Sequence, residues 1–358
     1  MSKKLRVGLV GGTGMVGQRF ALLLENHPWF EVAAVAASGR SAGKTYAEAV
    51  RGRWRMPRPL PAAMAGLTVT DAADADALAG LDFVFCAVDL DKSETRALEE
   101  RYARAEIPVV SNNSANRGVP DVPMVIPEVN PEHLAVIPAQ RRRLGTRRGF
   151  IAVKPNCSIQ SYVPAVHPLM DFGVSRILAC TYQAISGAGK TFETWPDMLD
   201  NVIPYIGGEE QKSEQEPLKI WGAVADGAIV PTAEPSITTQ CFRVPVSDGH
   251  LAAVFVSFER KPSRDEILSR WSAFESLPVK LGLPSAPDPF LVYFDDDARP
   301  QTRLDRDLSG GMAVSIGRLR EDSQYDYKFV CLSHNTLRGA AGGGLLTAEL
   351  LYAQGYFD

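Results

Sequence analysis

The chain has 358 residues, 45% hydrophobic and 22% charged, which supplies two folded domains, or one with a large insertion, and excludes extended disorder. A formal net charge of −4 argues against a general nucleic-acid binder, whose affinity would rest on excess Lys and Arg. No stretch approaches the length of a bilayer-spanning helix and no leader is legible near Met1, so a soluble, cytoplasmic protein is expected, with no membrane partner.

Residues 6–10 (RVGLV) form a short apolar run that ends in glycines, the signature of a buried parallel strand. Helical spacing follows over 15–26, stopped by His27-Pro28. Further strands are predicted at 30–36, 82–88 and 107–111, with a charged helix near 92–105. Strands alternating with helices imply a parallel sheet covered on both faces. After about residue 155 the texture changes. Long β-rich runs at 177–184, 237–246 and 251–259, with helices near 158–171 and 264–275, predict an α+β unit with a mostly antiparallel or mixed sheet. The segment 335–354 is rich in small residues and then helical, and is expected to pack back on the first unit. The fold class expected is therefore α/β: an N-terminal Rossmann domain, 1–156, completed by 334–358, and an α+β catalytic and dimerisation domain, 157–333.

The first strand runs into Gly11-Gly12-Thr13-Gly14-Met15-Val16-Gly17, a G-x-G-x-x-G turn counted from Gly12 and placed between strand and helix. Such a turn lets backbone N–H groups approach a pyrophosphate at the helix N-terminus. Dinucleotide sites for NAD usually carry an acid at the end of the second strand. This chain has Ser38, Arg40 and Ser41 there, groups able to hold a 2′-phosphate, so NADP is the expected cofactor.

Five cysteines are widely spaced with no CxxC, which suits reduced thiols rather than a disulfide framework, and no Cys/His pair has zinc spacing, so no metal is expected. Cys157 differs from the others. In Lys154-Pro155-Asn156-Cys157-Ser158 it stands where a strand gives way to a helix, and a helix N-terminus favours the nucleophilic thiolate. A buried structural thiol is the competing reading of that residue taken alone. Asn156 could donate to an oxyanion. His250 follows a Ser-Asp-Gly turn after Arg243 and could take and return the thiol proton. His334 is expected to pack. The basic run Arg141, Arg142, Arg143, Arg147 and Arg148 reads as a solvated loop, with a subunit contact as the alternative.

Together GGTGMVGQ, SNNSANR at 111–117, PNCS, YQAISGAGK at 182–190, NVIPYIGGEEQK at 201–212, RVPVSDGH and NTLRGAAGG resemble the aspartate-β-semialdehyde dehydrogenase family over essentially the full length, in the form of its archaeal and fungal branch. That resemblance implies NADPH-dependent reductive dephosphorylation of β-aspartyl phosphate to the semialdehyde, on the route to lysine, threonine and methionine. It implies Cys157 as nucleophile, His250 as acid/base and Gln183 as the residue positioning the acyl intermediate. Arg243 would bind the substrate carboxylate and Glu209 its amine, with Glu210 as the register alternative. Lys212, Arg117 and Asn116 would bind phosphate. Ser186, Gly187 and Gly189 would lie near the nicotinamide, and Asn335 at the C-terminal cofactor contact. A malonyl-CoA reductase of the same fold and a non-catalytic NADP sensor are the competing readings, and a homodimer or homotetramer is the expected assembly.

Overall fold

The computed structural model describes residues 3–358 and holds two six-stranded sheets. The first consists of β1 (Leu5–Val10), β2 (Phe30–Ala37), β3 (Val69–Asp71), β4 (Phe83–Cys86), β5 (Val109–Ser111) and β6 (Ile151–Val153). All pairs are parallel, in the order β3-β2-β1-β4-β5-β6. The order reverses between β1 and β4, the crevice at which open α/β sheets bind ligands beyond the carboxyl ends of their strands.

A short antiparallel ribbon, β8 (Ala223–Ala225) with β9 (Ala228–Val230), stands apart. The second large sheet holds β7 (Val174–Gln183), β10 (Ser236–Arg243), β11 (His250–Phe258), β12 (Leu291–Phe294), β13 (Val314–Glu321) and β14 (Tyr327–Ser333). Its order is β10-β7-β11-β14-β13-β12. The pairs β10/β7 and β12/β13 are parallel and the rest antiparallel, so the sheet is mixed. One face packs on the helix Ile159–Val166, every residue of which is buried. A fully buried branched aliphatic side chain contributes about 1.5–3 kcal/mol, so this helix fixes whatever precedes it.

Several boundaries differ from expectation for local reasons. The helix predicted over 15–26 spans Met15–Leu23 and closes in a turn. The helix predicted near 158–171 is α-helical only to Val166; Pro168 cannot continue it, and His167–Phe172 tightens to 3₁₀ geometry. The run 237–246 stops as a strand at Arg243, two residues before Pro245. The C-terminal helix Gly342–Ala353 has every residue from Gly342 to Leu351 buried. It lies on the first sheet's side, where a Cβ on Gly344 would come within 3.0 Å of the Phe20 ring. A π-helical turn, Leu337–Ala341, leads into it.

The basic run is not a free loop. Arg141 donates to the carbonyls of Arg148 and Tyr356, and Arg148 to those of Asp82 and Phe357, so together they moor the C-terminal end of the chain. Among the described residues no helix is long and apolar enough to cross a membrane.

Candidate active site

The ends of both large sheets converge. β7 and β10 run parallel with Gln183 opposite Arg243, and β11 starts beside them at His250. From the first sheet, β5 and β6 end at Ser111 and Val153, delivering Asn112 and the segment Lys154–Cys157 to the same place. Cys157 precedes the Ile159–Val166 helix by one residue, Ser158. It lines a cavity of about 200 Å³ with Asn112, Arg117, Lys154, Gly187 and Asn335.

Sγ of Cys157 lies 3.5 Å from Nε2 of the fully buried His250. The backbone N–H of Ala184 donates to Nδ1 of that ring at 3.1 Å. A neutral imidazole that accepts at Nδ1 carries its hydrogen on Nε2, so the ring presents an N–H to the sulfur. Burial, with Arg243 and His334 nearby, holds its pKa well below the ordinary histidine value. Burial likewise pushes the Cys157 thiol up, as does Glu209, while Lys154, Arg117 and Arg243 pull it down.

Arg243 spends Nη1 on the Ala184 carbonyl at 2.6 Å, leaving the rest of its fork for a ligand. The backbone of one residue, Ala184, therefore fixes both Arg243 and His250. Gly187 roofs them: a Cβ there would sit 2.8 Å from Arg243 Nη1 and 3.1 Å from His250 Nε2. The Glu209 carboxylate accepts from Lys212 Nζ at 2.7 Å, Asn156 Nδ2 at 3.1 Å and Gln183 Nε2 at 3.4 Å. Burial opposes its ionisation, but Lys212 and the two amides outweigh burial and hold its pKa below the ordinary glutamate value. Glu210 instead accepts from Gln240 and from the Cys241 backbone, so the helix register turns Glu209, not its neighbour, toward the cysteine.

Two asparagines stand elsewhere than the sequence suggested. Asn116, expected at a phosphate, is 1% exposed, and its amide donates to buried Glu99 at 2.7 Å. Glu99 also accepts from Ser111 and Asn113, so the SNNSANR loop is built around a carboxylate and Asn116 braces it from within. Asn156 gives its amide hydrogens to Glu209 and cannot serve an oxyanion at the same time. Arg117 donates to Glu216 at 2.8 Å and to the Asn112 carbonyl, with Nε buried and without a partner. Together with Lys212 it lines an adjoining cleft of about 530 Å³. Both side-chain amide atoms of Asn112 are buried without a partner, and nothing in the residue's sequence neighbourhood marks it as part of the site. Lys154 is likewise unmarked in the sequence.

The dinucleotide turn fits its proposed ligand. The helix Met15–Leu23 has no side-chain cap and no acid in its first turn, so its leading N–H groups are available to an anion. Gly17 is required by close packing, since a Cβ would meet the Gly11 carbonyl oxygen at 2.4 Å. Ser38 and Arg40 are exposed beyond β2, while Ser41 is buried and closes the turn by donating its N–H to the Ser38 carbonyl. Asp71, at the end of β3, comes up beside Gly39, an acid that adjacency in sequence did not reveal. Asn335 bridges Ser186 Oγ at 2.8 Å and the Gly249 N–H at 2.8 Å, tying the Ser186–Gly189 loop to the last segment. Gly189 closes that loop in the left-handed region at φ 67°. His334 packs as expected, with burial holding its pKa down to about 4.

Comparison with known proteins agrees with this architecture. A family model described as "Semialdehyde dehydrogenase, NAD binding domain" matches residues 6–137, and "Semialdehyde dehydrogenase, dimerisation domain" matches 166–338. An aspartate-semialdehyde dehydrogenase of Methanothermobacter thermautotrophicus is 43% identical over 97% of this chain and 99% of its own. The chain belongs to the aspartate-semialdehyde dehydrogenase family. The Aspergillus fumigatus member is 42% identical over 99% of this chain and 98% of its own. The crystal structure of the Candida albicans member with NADP superposes with a TM-score of 0.88, at 39% identity, over 99% of this chain and 100% of that one. The family's archaeal and fungal members are thus similar to it from end to end, and its two-part α/β fold is theirs.

Proposed function

We propose that this chain catalyses the reversible, NADPH-dependent reductive dephosphorylation of L-aspartyl 4-phosphate to L-aspartate 4-semialdehyde through a thioester on Cys157, in the supply of lysine, threonine and methionine. The observation that carries the reading is the Cys157 sulfur 3.5 Å from His250 Nε2, with Arg243 and Glu209 close enough on either side to act on that thiol with opposite charges. A substrate bearing both an α-carboxylate and an α-amine suits that pair: the unspent fork of Arg243 grips the carboxylate and Glu209 receives the amine. A malonyl thioester has no amine for Glu209, and a redox sensor needs none of the three groups.

In the mechanism the thiolate attacks the acyl carbon, and phosphate leaves with Arg117 and Lys212 offsetting its charge. When bound, the dinucleotide supplies a hydride to the thioester carbonyl carbon. Collapse of the resulting thiohemiacetal anion breaks the C–S bond, and His250 Nε2–H donates to the returning sulfur. Gln183 steadies the acyl group. The dinucleotide would lie along Gly12, Thr13, Gly14, Met15 and Val16, with Ser38, Arg40 and Ser41 around the 2′-phosphate, and would reach Ser186, Gly187, Gly189 and Asn335. Residues 1–156 with 334–358 would form the cofactor unit and 157–333 the catalytic and dimerisation unit.

Assembly as a homodimer or homotetramer is supported by exposed Tyr182, stacked on Phe242 of the neighbouring strand, and by exposed Leu199, Val202 and Tyr205. Free thiols throughout suit the cytoplasm. The test is semialdehyde oxidation with phosphate, run with NADP and NAD in parallel, on wild type and Cys157→Ala. Phosphate-dependent NADP reduction lost in the variant is the result expected. Near-wild-type activity in Cys157→Ala, or no covalent acyl adduct on Cys157 by mass spectrometry, would remove the mechanism.

A further inference from the structure

Lys154 is a buried cation that the mechanism above does not use. It follows β6, and its backbone N–H donates to the Ser111 carbonyl at 2.8 Å, which anchors it at the strand end. The side chain is only 3% exposed, yet it lines the same cavity as Cys157. Its ammonium finds one acceptor among the described residues, the Pro155 carbonyl, so two of its three donors remain open.

The C-terminal segment sets where Lys154 and Cys157 lie relative to each other. A Cβ on Gly339 would sit 2.8 Å from Cys157 Cβ, and one on Gly343 would sit 3.3 Å from Lys154 Cδ. Residues four apart on a helical segment share a face at a rise of about 6 Å. The two glycines therefore leave room for the Cys157 Cβ and the lysine stem against successive turns of one segment, and both side chains line the same cavity. The titratable groups around the pair are Arg117, Glu216 and Arg338 toward Lys154, and Glu209, Arg117, Arg243 and the neutral His250 toward Cys157.

His250 does not supply a counter-charge. Its Nδ1 accepts the Ala184 N–H, and a second proton on the ring would set two hydrogens against each other. The thiolate must be balanced by other cations. We propose that Lys154, as its ammonium, is the charge partner that favours the Cys157 thiolate. The inference rests on the reading of Cys157 as nucleophile. In the step concerned the S–H bond breaks, its proton leaves for solvent, and the ammonium stays to balance the new negative charge. Burial brings the ammonium's own titration down to about 7, so it loses its proton near neutrality rather than far above it.

The test reads the thiol directly. Alkylation of Cys157 by iodoacetamide is followed from pH 5 to 9 by mass spectrometry of the peptide that contains it, which separates it from Cys86, Cys180, Cys241 and Cys331. Lys154→Met should cut the rate about tenfold at pH 6, where the ammonium is present, and leave it unchanged at pH 9, where the lysine is neutral. Lys154→Arg, charged throughout, should keep the wild-type rate at pH 6 and exceed it at pH 9. Lys154→Gln, which retains a donor for the Pro155 carbonyl but no charge, should behave as Met does and serves if the Met protein does not fold. A purely structural lysine would give no rate difference confined to low pH, so a neutral variant whose profile overlays wild type overturns the proposal. The phosphate-dependent assay on wild type separates the two claims. Activity with no loss of alkylation rate at pH 6 in the neutral variants sinks the role of Lys154 alone, whereas that loss without activity upholds it and sinks the substrate assignment.

Discussion

Replacing Lys154 by Met should make the protein more stable while weakening its nucleophile. Burial lowers the lysine's pKa from 10.5 to about 7, and a drop of that size costs the charged form about 5 kcal/mol when the pH is below both values. Met is close in volume and carries no charge. It forfeits one hydrogen bond to the Pro155 carbonyl, about 1 kcal/mol, and repacking costs about 1 kcal/mol more. The net gain at pH 6 is about 3 kcal/mol. The sign of its pH dependence follows from proton counts. Between about pH 7 and 10.5 the folded wild type has released a proton that the unfolded chain still binds, so the lysine's penalty is relieved as the pH rises through that window. The Met protein lacks this slope, and its advantage should shrink to near zero by pH 9. Guanidinium unfolding followed by circular dichroism at pH 6 and pH 9 measures both quantities. A Met variant no more stable than wild type at pH 6, or an advantage that widens with pH, would refute the reasoning.

Arg338 is fully buried and forms a two-pronged pair with Glu128, which is also fully buried. Arg338→Met should destabilise by about 3–5 kcal/mol, because it strands a carboxylate in an apolar site. Without its partner Glu128 is left with burial, which raises its pKa, reinforced by Glu349 and opposed only by its own backbone N–H. The folded variant then retains a proton that the unfolded chain releases, stability falls as pH rises above the ordinary glutamate value, and the deficit by denaturant midpoint should be larger at pH 8 than at pH 5. Arg40→Ala should raise the KM for NADPH by about 10–100-fold and leave that for NADH unchanged, the loss of one charge-assisted contact; equal effects on both would place Arg40 away from the 2′-phosphate. Arg243→Lys should raise the semialdehyde KM and lower turnover by about tenfold or more, since one ammonium cannot hold both the Ala184 carbonyl and a carboxylate in fixed geometry. Steady-state kinetics with both parameters unchanged would take Arg243 out of the site.

Much of the fold was legible because it is local. The apolar run before Gly11, the helix spacing after Gly14 and the alternation to Ser111 follow from periodicity within a few residues. Cys157 could be singled out because the other four cysteines lie inside strands. What stayed hidden depends on partners distant in the chain. Nothing beside Asn116 in sequence announces Glu99, and nothing beside Asn156 announces Glu209, so both amides read as free donors although the fold had already committed them. Lys154 read as the end of a strand, because the glycines that bring it against the cysteine's face come almost two hundred residues later. The choice between Glu209 and Glu210 needed the phase of a helix, about 100° per residue, which composition cannot supply.

Ala184 gives the site its logic. Its carbonyl holds Arg243, and its N–H assigns the His250 hydrogen to Nε2, so on the proposed reading substrate grip and hydrogen-bond donation to sulfur would both be set by the backbone of one residue just past the end of β7. A histidine held this way is a donor to sulfur at every stage, when the thiolate waits and when it departs, and is a poor base at rest. Ionisation of Cys157 must then come from the helix N-terminus behind it and the cations Lys154, Arg117 and Arg243 around it, against burial and Glu209. On that division, part of the positive charge around Cys157 would serve the sulfur before any substrate arrives.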